Sequence, residues 1–389
     1  MLSAPLAQQI ARETSEVIGY NVLITDDHGI VIGSGDTSRL GSFHEASVDV
    51  LASQQAAWHT AAEAQRLRGV KPGMTLPIVI DGAAVGTVGI TGSPRQVRRF
   101  GLVVRRQTEI LLQESVELRS RLLRERALEE LLRDIGSFDA DVVDPAFLAG
   151  RAKELGFDLT AQRTVVIVEV DEPVPAGGGV PDVATLRPEV LRTLRQTFGS
   201  ADLVAAMTAG RFAVLPVLGR RSRGTAEDRL RLGQVAVRAI ASEHGFASRA
   251  GVGGAARGIA ALREAYADAG DALHLGKGCE PDETAYVIDG LRGHQVLAAV
   301  GHRARSRLVS LVAGPLATQA DWPELRATLI AWCESGFNLV RTADALHIHR
   351  NTLIYRLEKI ERLTGRPWRD HRSTLTLYLA CHASQLDSP

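Results

Sequence analysis

Apolar residues change their spacing several times along the chain, and each change predicts an element. Over residues 6–18 they recur at helical intervals, which predicts an amphipathic helix. Asn21-Val-Leu-Ile-Thr25 and Ile30-Val-Ile-Gly33 are short apolar strands joined by Asp26-Asp-His-Gly29, the composition of a hairpin turn. A helix over about residues 44–53 follows. A second hairpin then pairs residues 75–80 with residues 84–91 through Asp81-Gly82. From Pro94 to about Ile135 the pattern is one long, charged helix. Val104, Leu111 and Leu118 are seven apart, and Leu122, Leu128 and Leu132 continue the stripe unevenly. That stripe fits a helix packed on its own domain as well as a dimer-forming signalling helix, and is too irregular for a strict coiled coil.

Beyond the long helix, strands alternate with helices. Residues 164–170 are a buried-strand run. A Pro/Gly stretch at 173–181 and a helix over 186–198 come next. Strands at 203–207 and 211–217 meet at Ala209-Gly210. A helix over 227–244, a strand at 248–253 and a helix over 262–275 complete what reads as an α/β sheet domain. The remainder is almost wholly helical. The expected fold is therefore α+β and multidomain. A PAS-like sensor with a curved antiparallel sheet spans 1–95, a linker helix 96–138, the α/β domain 139–285 and an all-α domain 286–389.

Within the last segment, Asn338 can cap a helix whose Leu339, Ala343 and Leu346 face inward. His347-Ile348-His349 makes a turn, with Ile348 plugging the angle. A second helix runs from Arg350 to Gly365, with Leu353, Leu357 and Ile360 as its inward stripe. This is the helix-turn-helix plan for reading DNA. Arg350, Asn351, Thr352 and Tyr355, early on the second helix, are expected to reach bases. Lys359 and Arg362, with Arg341 and Thr342 of the first helix, are expected to meet phosphates. From Phe337 to Arg372 there are eight Arg/Lys against four Asp/Glu, so this segment is basic in a chain of zero formal net charge. The competing reading is a solvated basic face on an ordinary helical subdomain.

The neutral whole makes any nucleic-acid contact local. No run approaches 18 apolar residues and no export pattern opens the chain, so a cytoplasmic protein without membrane contact is expected. Cys279, Cys333 and Cys381 form neither a zinc spacing nor a disulfide framework. No nucleophile–base pair, carboxylate dyad or metal cluster stands out, and neither catalysis nor a cofactor is expected. Two glycine-bearing, cationic loops suggest capture of a small anion. Gly33-Ser-Gly-Asp-Thr-Ser-Arg-Leu-Gly41 lacks the ending of a phosphate loop, but offers backbone N–H groups and Arg39 ahead of a helix start near His44. Gly69-Val-Lys-Pro-Gly-Met-Thr-Leu76 adds Lys71. By themselves these loops read more readily as surface turns than as a carboxylate pocket.

The chain resembles the sugar-diacid (CdaR-type) transcriptional regulators over nearly all its length. In the first segment the likeness rests on Gly33-Ser-Gly-Asp36, Arg39-Leu-Gly41, His44-Glu45-Ala46 and Gly69-Val-Lys-Pro-Gly-Met-Thr-Leu-Pro77. Gly86-Thr-Val-Gly-Ile-Thr-Gly92 and Phe100-Gly101 complete it. His349-Arg-Asn-Thr-Leu353, Tyr355-Arg-Leu357 and residues 360–365 resemble the PucR-type helix-turn-helix. The middle segment is similar to a degenerate GGDEF-like domain, reading Ala209-Gly210-Arg211-Phe212 where that fold carries its acidic motif. The resemblance reverses the surface-turn preference. It implies Ser34, Arg39, His44, Val70, Lys71, Pro72, Gly73, Met74, Thr75 and Leu76 as ligand contacts. It further implies an effector such as glycerate, glucarate or galactarate and a regulator, usually an activator, of diacid or glycerate catabolism. A homodimer or higher homo-oligomer acting on promoter DNA is expected. A sensor-linked nucleotide cyclase relative and a purine-catabolism-type regulator are the alternatives.

Overall fold

A computed structural model of the protein describes residues 3–80, 82–171, 183–208, 210–219 and 224–386. The Pro/Gly stretch at 173–181, Asp81 and Ala209 lie outside the described residues. The chain divides into two units, Met1–Arg124 and Glu125–Pro389, the division falling inside the helix Pro94–Gly136.

In the first unit, α1 (Ala4–Ile18) precedes β1 (Val22–Thr25), β2 (Val31–Ser34), α2 (Glu45–Ser53), β3 (Ala57–His59) and α3 (Ala61–Ala64). Then come β4 (Gly73–Ile80), β5 (Ala83–Thr91) and α4 (Pro94–Gly136). The strands form one antiparallel sheet in the order β2-β1-β5-β4-β3. The two-residue strand period sorts it into unlike faces. Val22, Ile24, Met74, Leu76, Ile78, Val88 and Ile90 form the apolar face, buried against Ala7, Ile10 and Ala11 of α1 and Val97 and Val104 of α4. Gly33 permits the close approach of α1, since a Cβ there would lie 2.3 Å from the Ala7 carbonyl oxygen. The other face carries Thr25, Ser34, Thr75 and Thr87, all buried, and α2 packs against β4 and β5. Four buried hydroxyls on one sheet face are more polarity than covering the sheet requires.

The expected stripe on α4 divides between roles. Val104 is in the core of the first unit, whereas Leu128 and Leu132 are in the core of the second. Between them Leu118 and Leu122 are 59% and 51% exposed. Neither β3 nor α3 was visible as periodicity, because three and four residues are too short to establish one.

The second unit continues with α5 (Pro145–Glu154), β6 (Val166–Val170), α6 (Val183–Phe198), β7 (Leu203–Ala206) and β8 (Arg211–Leu215). After these come α7 (Ala226–His244), β9 (Ser248–Val252), α8 (Ile259–Cys279), β10 (Ala285–Val287) and α9 (Ile288–Ala299). The sheet order is β10-β9-β6-β8-β7, antiparallel except for the β9–β10 pair. One face packs on α8 and the end of α4 and the other on α6 and α7, giving two apolar layers around one sheet. Glycines set the α8 layer: a Cβ at Gly251 or Gly253 would lie 2.1 or 2.0 Å from a carbonyl oxygen of α8. The helical remainder is α10 (His302–Val312), α11 (Gly314–Ala317), α12 (Trp322–Glu334), α13 (Leu339–Ala345), α14 (Arg350–Thr364) and α15 (His371–Leu386). Among the described residues no helix is long and apolar enough to cross a membrane.

Candidate functional site

Beneath α2, side chains far apart in sequence form a hydrogen-bonded chain. Thr25 Oγ1 and Thr87 Oγ1 lie 2.9 Å apart, Thr87 Oγ1 is 2.7 Å from Ser47 Oγ, and Ser47 Oγ is 2.8 Å from His44 Nδ1. The local fold explains the convergence. The β1–β5 register places Thr25 directly opposite Thr87. His44 is the N-cap of α2, and Ser47 follows three residues later on the same side of that helix.

Arg39 ends a short turn, Thr37–Arg39, whose N-cap Asp36 accepts from Ser38 N at 3.2 Å. Its side chain turns inward, leaving the residue 7% exposed. Arg39 Nη2 donates to the carbonyl of Gly69, while Nη1 is buried with no partner among the described residues. Gly69 has φ +71°, and a Cβ there would lie 2.0 Å from the Phe43 carbonyl oxygen, so only glycine fits this close, left-handed position. Two other buried arginines make the contrast. Arg163 donates through Nε, Nη1 and Nη2 to the carbonyls of Asp158, Leu215 and Ala201. Arg229 likewise uses all three nitrogens, on Gly224, Gly253 and Asp289. Those two are structural; Arg39 is a buried cation with a donor still to satisfy. A buried charge lacking its partner costs several kcal/mol, so the arrangement favours an anion.

Burial lowers the Arg39 pKa, with Asp36 opposing. The His44 pKa falls from 6.5 to about 4, chiefly through burial and further through the positive charge of Arg39 and through His59. His44 is thus a neutral imidazole near pH 7, able to exchange hydrogen bonds with a hydroxyl but not to act as a second cation. The unfolded chain takes up this proton near pH 6.5 and the folded chain only near pH 4. Stability from this residue is therefore full above about 6.5 and is lost as pH falls toward 4, by on the order of 3 kcal/mol. His382 follows the same direction in the second unit, also with a pKa of about 4. Thermal denaturation between pH 7 and 4.5 is expected to show His44→Gln losing less stability than the parent as pH falls. Equal losses in both proteins would mean that His44 already titrates normally.

Several expected contacts need correction. Met74 and Leu76 point into the apolar core, not the polar face, because they alternate with Thr75 along β4. Lys71 is exposed and 3.2 Å from Asp36, so it is neither buried nor free. Val70 and Pro72 are half-buried at the entry to β4, where the Pro72 carbonyl accepts from Gly92 N at 2.8 Å. Ser34, on the polar face, accepts from Asp36 N at 3.2 Å and so braces the turn that carries Arg39. Gly73 and Thr75 are buried on the strand itself. Thr25, Ser47 and Thr87 were missed. Their signal is a threonine at an alternate position in each of two apolar strands, and it becomes visible only once those strands are paired.

The helix-turn-helix is built much as the spacing predicts. Asn338 Oδ1 accepts from Val340 N and Arg341 N at 3.0 and 3.1 Å. Leu339, Ala343, Leu346 and Ile348 pack with Leu353, Leu357, Trp332 and Trp368. His347 makes the turn at φ +52°, and His349 Nδ1 accepts from Asn351 N at 3.2 Å, capping α14. Arg350, Asn351, Thr352 and Tyr355 are exposed together at the start of α14, and Arg341 and Arg362 are exposed as well. Two expected phosphate contacts are corrected. Thr342 is fully buried and its hydroxyl donates to the Asn338 carbonyl at 2.8 Å. Lys359 is paired with Asp321 at 2.7 Å, with its side chain only 21% exposed. Between the two ends, Arg211 of the β7–β8 hairpin donates to Glu169 at 2.5 Å, and Lys277 pairs with the same carboxylate. A cation, Arg211, thus stands in the stretch where the resembled fold carries its acidic motif.

Three family models match the chain: sugar diacid recognition over residues 2–135, the GGDEF-like domain over 139–275 and the PucR C-terminal helix-turn-helix domain over 325–383. The carbohydrate diacid regulator of Escherichia coli (strain K12) is 32% identical over 382 residues, covering 97% of each chain. YsfB of Bacillus subtilis (strain 168) is 26% identical over 98% of each. The purine catabolism regulatory protein of the same organism is 40% identical over 70 residues, 18% of this chain and 13% of its own. Exposed polar residues on a capped second helix and a match across the full length of a regulator lead to one conclusion. The chain belongs to the family of carbohydrate diacid regulators, DNA-binding transcriptional regulators with a sugar-diacid recognition domain and a PucR-type helix-turn-helix.

Proposed function

We propose that this regulator senses a small hydroxy-carboxylate such as glycerate, glucarate or galactarate. The acid binds on the polar sheet face of the first unit, which we take to be a PAS-like sensor. The buried, unpartnered Nη1 of Arg39 carries this reading. A carboxylate would take both terminal nitrogens of the guanidinium bidentately. Neutral His44 and the Ser47, Thr87 and Thr25 hydroxyls would meet the hydroxyl groups of the acid. We assign residues 1–95 to the sensor, 96–138 to a linker helix that relays the change within a cytoplasmic homodimer, 139–285 to a coupling domain and 286–389 to DNA binding. Action as an activator of diacid or glycerate catabolism fits the family. The cyclase alternative is disfavoured by Arg211 and Lys277 on Glu169.

A thermal-shift series tests the reading, because a ligand at a hundred times its Kd stabilises the native state by about 2.7 kcal/mol. Glycerate, glucarate or galactarate is expected to raise the melting temperature more than propionate or adipate, which match the carboxylates without the hydroxyls. Equal shifts would remove the hydroxyl chain from the proposal, and no shift with any acid would remove the site.

At the output end, Asn351→Ala is expected to cost about 1–3 kcal/mol at its cognate base and relax preference there. Arg362→Ala is expected to weaken all DNA about equally and reduce the salt slope by about one. Lys359→Ala is now expected to alter the Asp321 contact rather than the slope. Filter binding across a salt series separates these outcomes, and a salt slope changed by Lys359→Ala but not by Arg362→Ala would reverse the assignment.

A further inference from the structure

A cavity of about 330 Å³ lies between the β7–β8 hairpin and α8 in the GGDEF-like domain. Its wall is apolar and aromatic, from Ile167, Met207 and Tyr266, while Arg211, His274 and Lys277 bring basic side chains to the same space. Glu169 pairs with both Arg211 and Lys277, so the two cations exceed the one acid between them. Arg211 contributes only Nε to that carboxylate among the described residues, leaving the fork of Nη1 and Nη2 for another acceptor.

The helix itself holds the space open. Gly270 sits inside α8, where glycine costs roughly 1 kcal/mol relative to alanine. Elsewhere on α8 a glycine has a packing reason: a Cβ at Gly276 would lie 2.1 Å from the Tyr286 ring. At Gly270 the nearest atom to an added Cβ is Ile167 Cδ1 at 3.9 Å. No neighbour forbids a side chain there, and the room it would occupy belongs to the cavity.

We propose that this cavity is a second effector site, taking an anion with a flat ring. The ring would lie along Tyr266 and Met207, and the anionic group would meet Arg211, Lys277 and His274. An aromatic carboxylate and a nucleoside monophosphate share this chemistry. The site also has a route to the output: one residue past Lys277, a Cβ on Gly278 would be 4.0 Å from the Gln385 carbonyl oxygen of α15, the last helix of the DNA-binding domain. Occupancy at α8 therefore bears on α15 whether or not the Arg39 site is filled.

Isothermal titration of the full chain tests this with 4-hydroxybenzoate, the four common ribonucleoside 5′-monophosphates, and inorganic phosphate as the ringless control. One ring-bearing series is expected to bind once per chain, which names the source, with phosphate weaker by about tenfold or more. Gly270→Leu, which fills the cavity, and Arg211→Gln are each expected to weaken binding at least about tenfold. Arg39→Met should leave it unchanged, separating this site from the first. Gly270→Leu alone should melt no lower than the parent; should it fail to fold, the half-exposed Arg211→Gln carries the test. Phosphate binding as tightly as the ringed anions, no saturable binding, or affinity insensitive to these variants would overturn the proposal.

Discussion

Arg39→Met is expected to weaken binding of the effector acid by roughly a hundredfold or more while leaving the ligand-free protein at least as stable as the parent. The two effects have one cause. Truncating one partner of a buried charge pair costs about 2–5 kcal/mol of binding, because the other charge is left desolvated. Without ligand, the guanidinium is itself the desolvated charge: among the described residues Nη1 has no acceptor, and Nη2 donates to the Gly69 carbonyl. An apolar side chain of similar length removes that penalty and forfeits that one bond. Arg163 supplies the control, since its three nitrogens are all satisfied and its replacement should destabilise the second unit. Lys71→Ala is expected to weaken the acid by less than about tenfold, as an exposed lysine already paired with Asp36 is worth little. Calorimetric titration and thermal melting of the three variants check the pattern, with an undiminished melting transition in Arg39→Met as evidence that the first unit is folded. Undiminished affinity in Arg39→Met would remove the anion site.

Where burial followed the local pattern, the sequence was legible. Asn338 as a cap, Ala343 at the helix crossing, Ile348 in the angle and Gly365 as a stop each follow from spacing and residue type, and their structural roles agree. The hairpins of the first unit were equally plain. The errors share one source: side-chain direction set by contacts distant in sequence. Thr342 looks like a phosphate contact until its hydroxyl is seen to close on the Asn338 carbonyl. Lys359 lies on the outer side of a helical wheel, yet Asp321, 38 residues earlier, claims it. Met74 and Leu76 belong to a loop that resembles a binding motif, but the strand period turns them into the core. The hydroxyl chain of Thr25, Ser47 and Thr87 depends on the β1–β5 pairing across 62 residues, which no local window contains. Residue chemistry thus singled out Arg39 and His44, both buried on one side of the sheet, while the hydroxyl chain beside them required the fold.

Leu357→Ala is expected to abolish specific DNA binding near physiological temperature although Leu357 itself reaches no solvent. It is fully buried at the centre of a small cluster with Trp332, Ala343, Leu353 and Trp368. Leucine-to-alanine changes in such positions cost about 2–5 kcal/mol, and a whole domain commonly has only about 5–15 in hand. A cluster of five fully or nearly buried residues has few neighbours to collapse into the void, so the upper half of that range applies. The loss differs in kind from that of Asn351→Ala: removing a base reader changes which sequence is preferred, whereas loosening α14 removes all readers together. The first unit has a separate apolar core, so acid binding there should survive the change. Gel-shift assays with cognate and scrambled DNA, run beside titration of the acid, distinguish the possibilities. Retained sequence-specific binding with a stability loss under about 1 kcal/mol would mean that the recognition helix is held by something other than this cluster. Parallel loss of acid and DNA binding would mean that the two cores unfold as one, and that coupling between sensor and reader extends to folding itself.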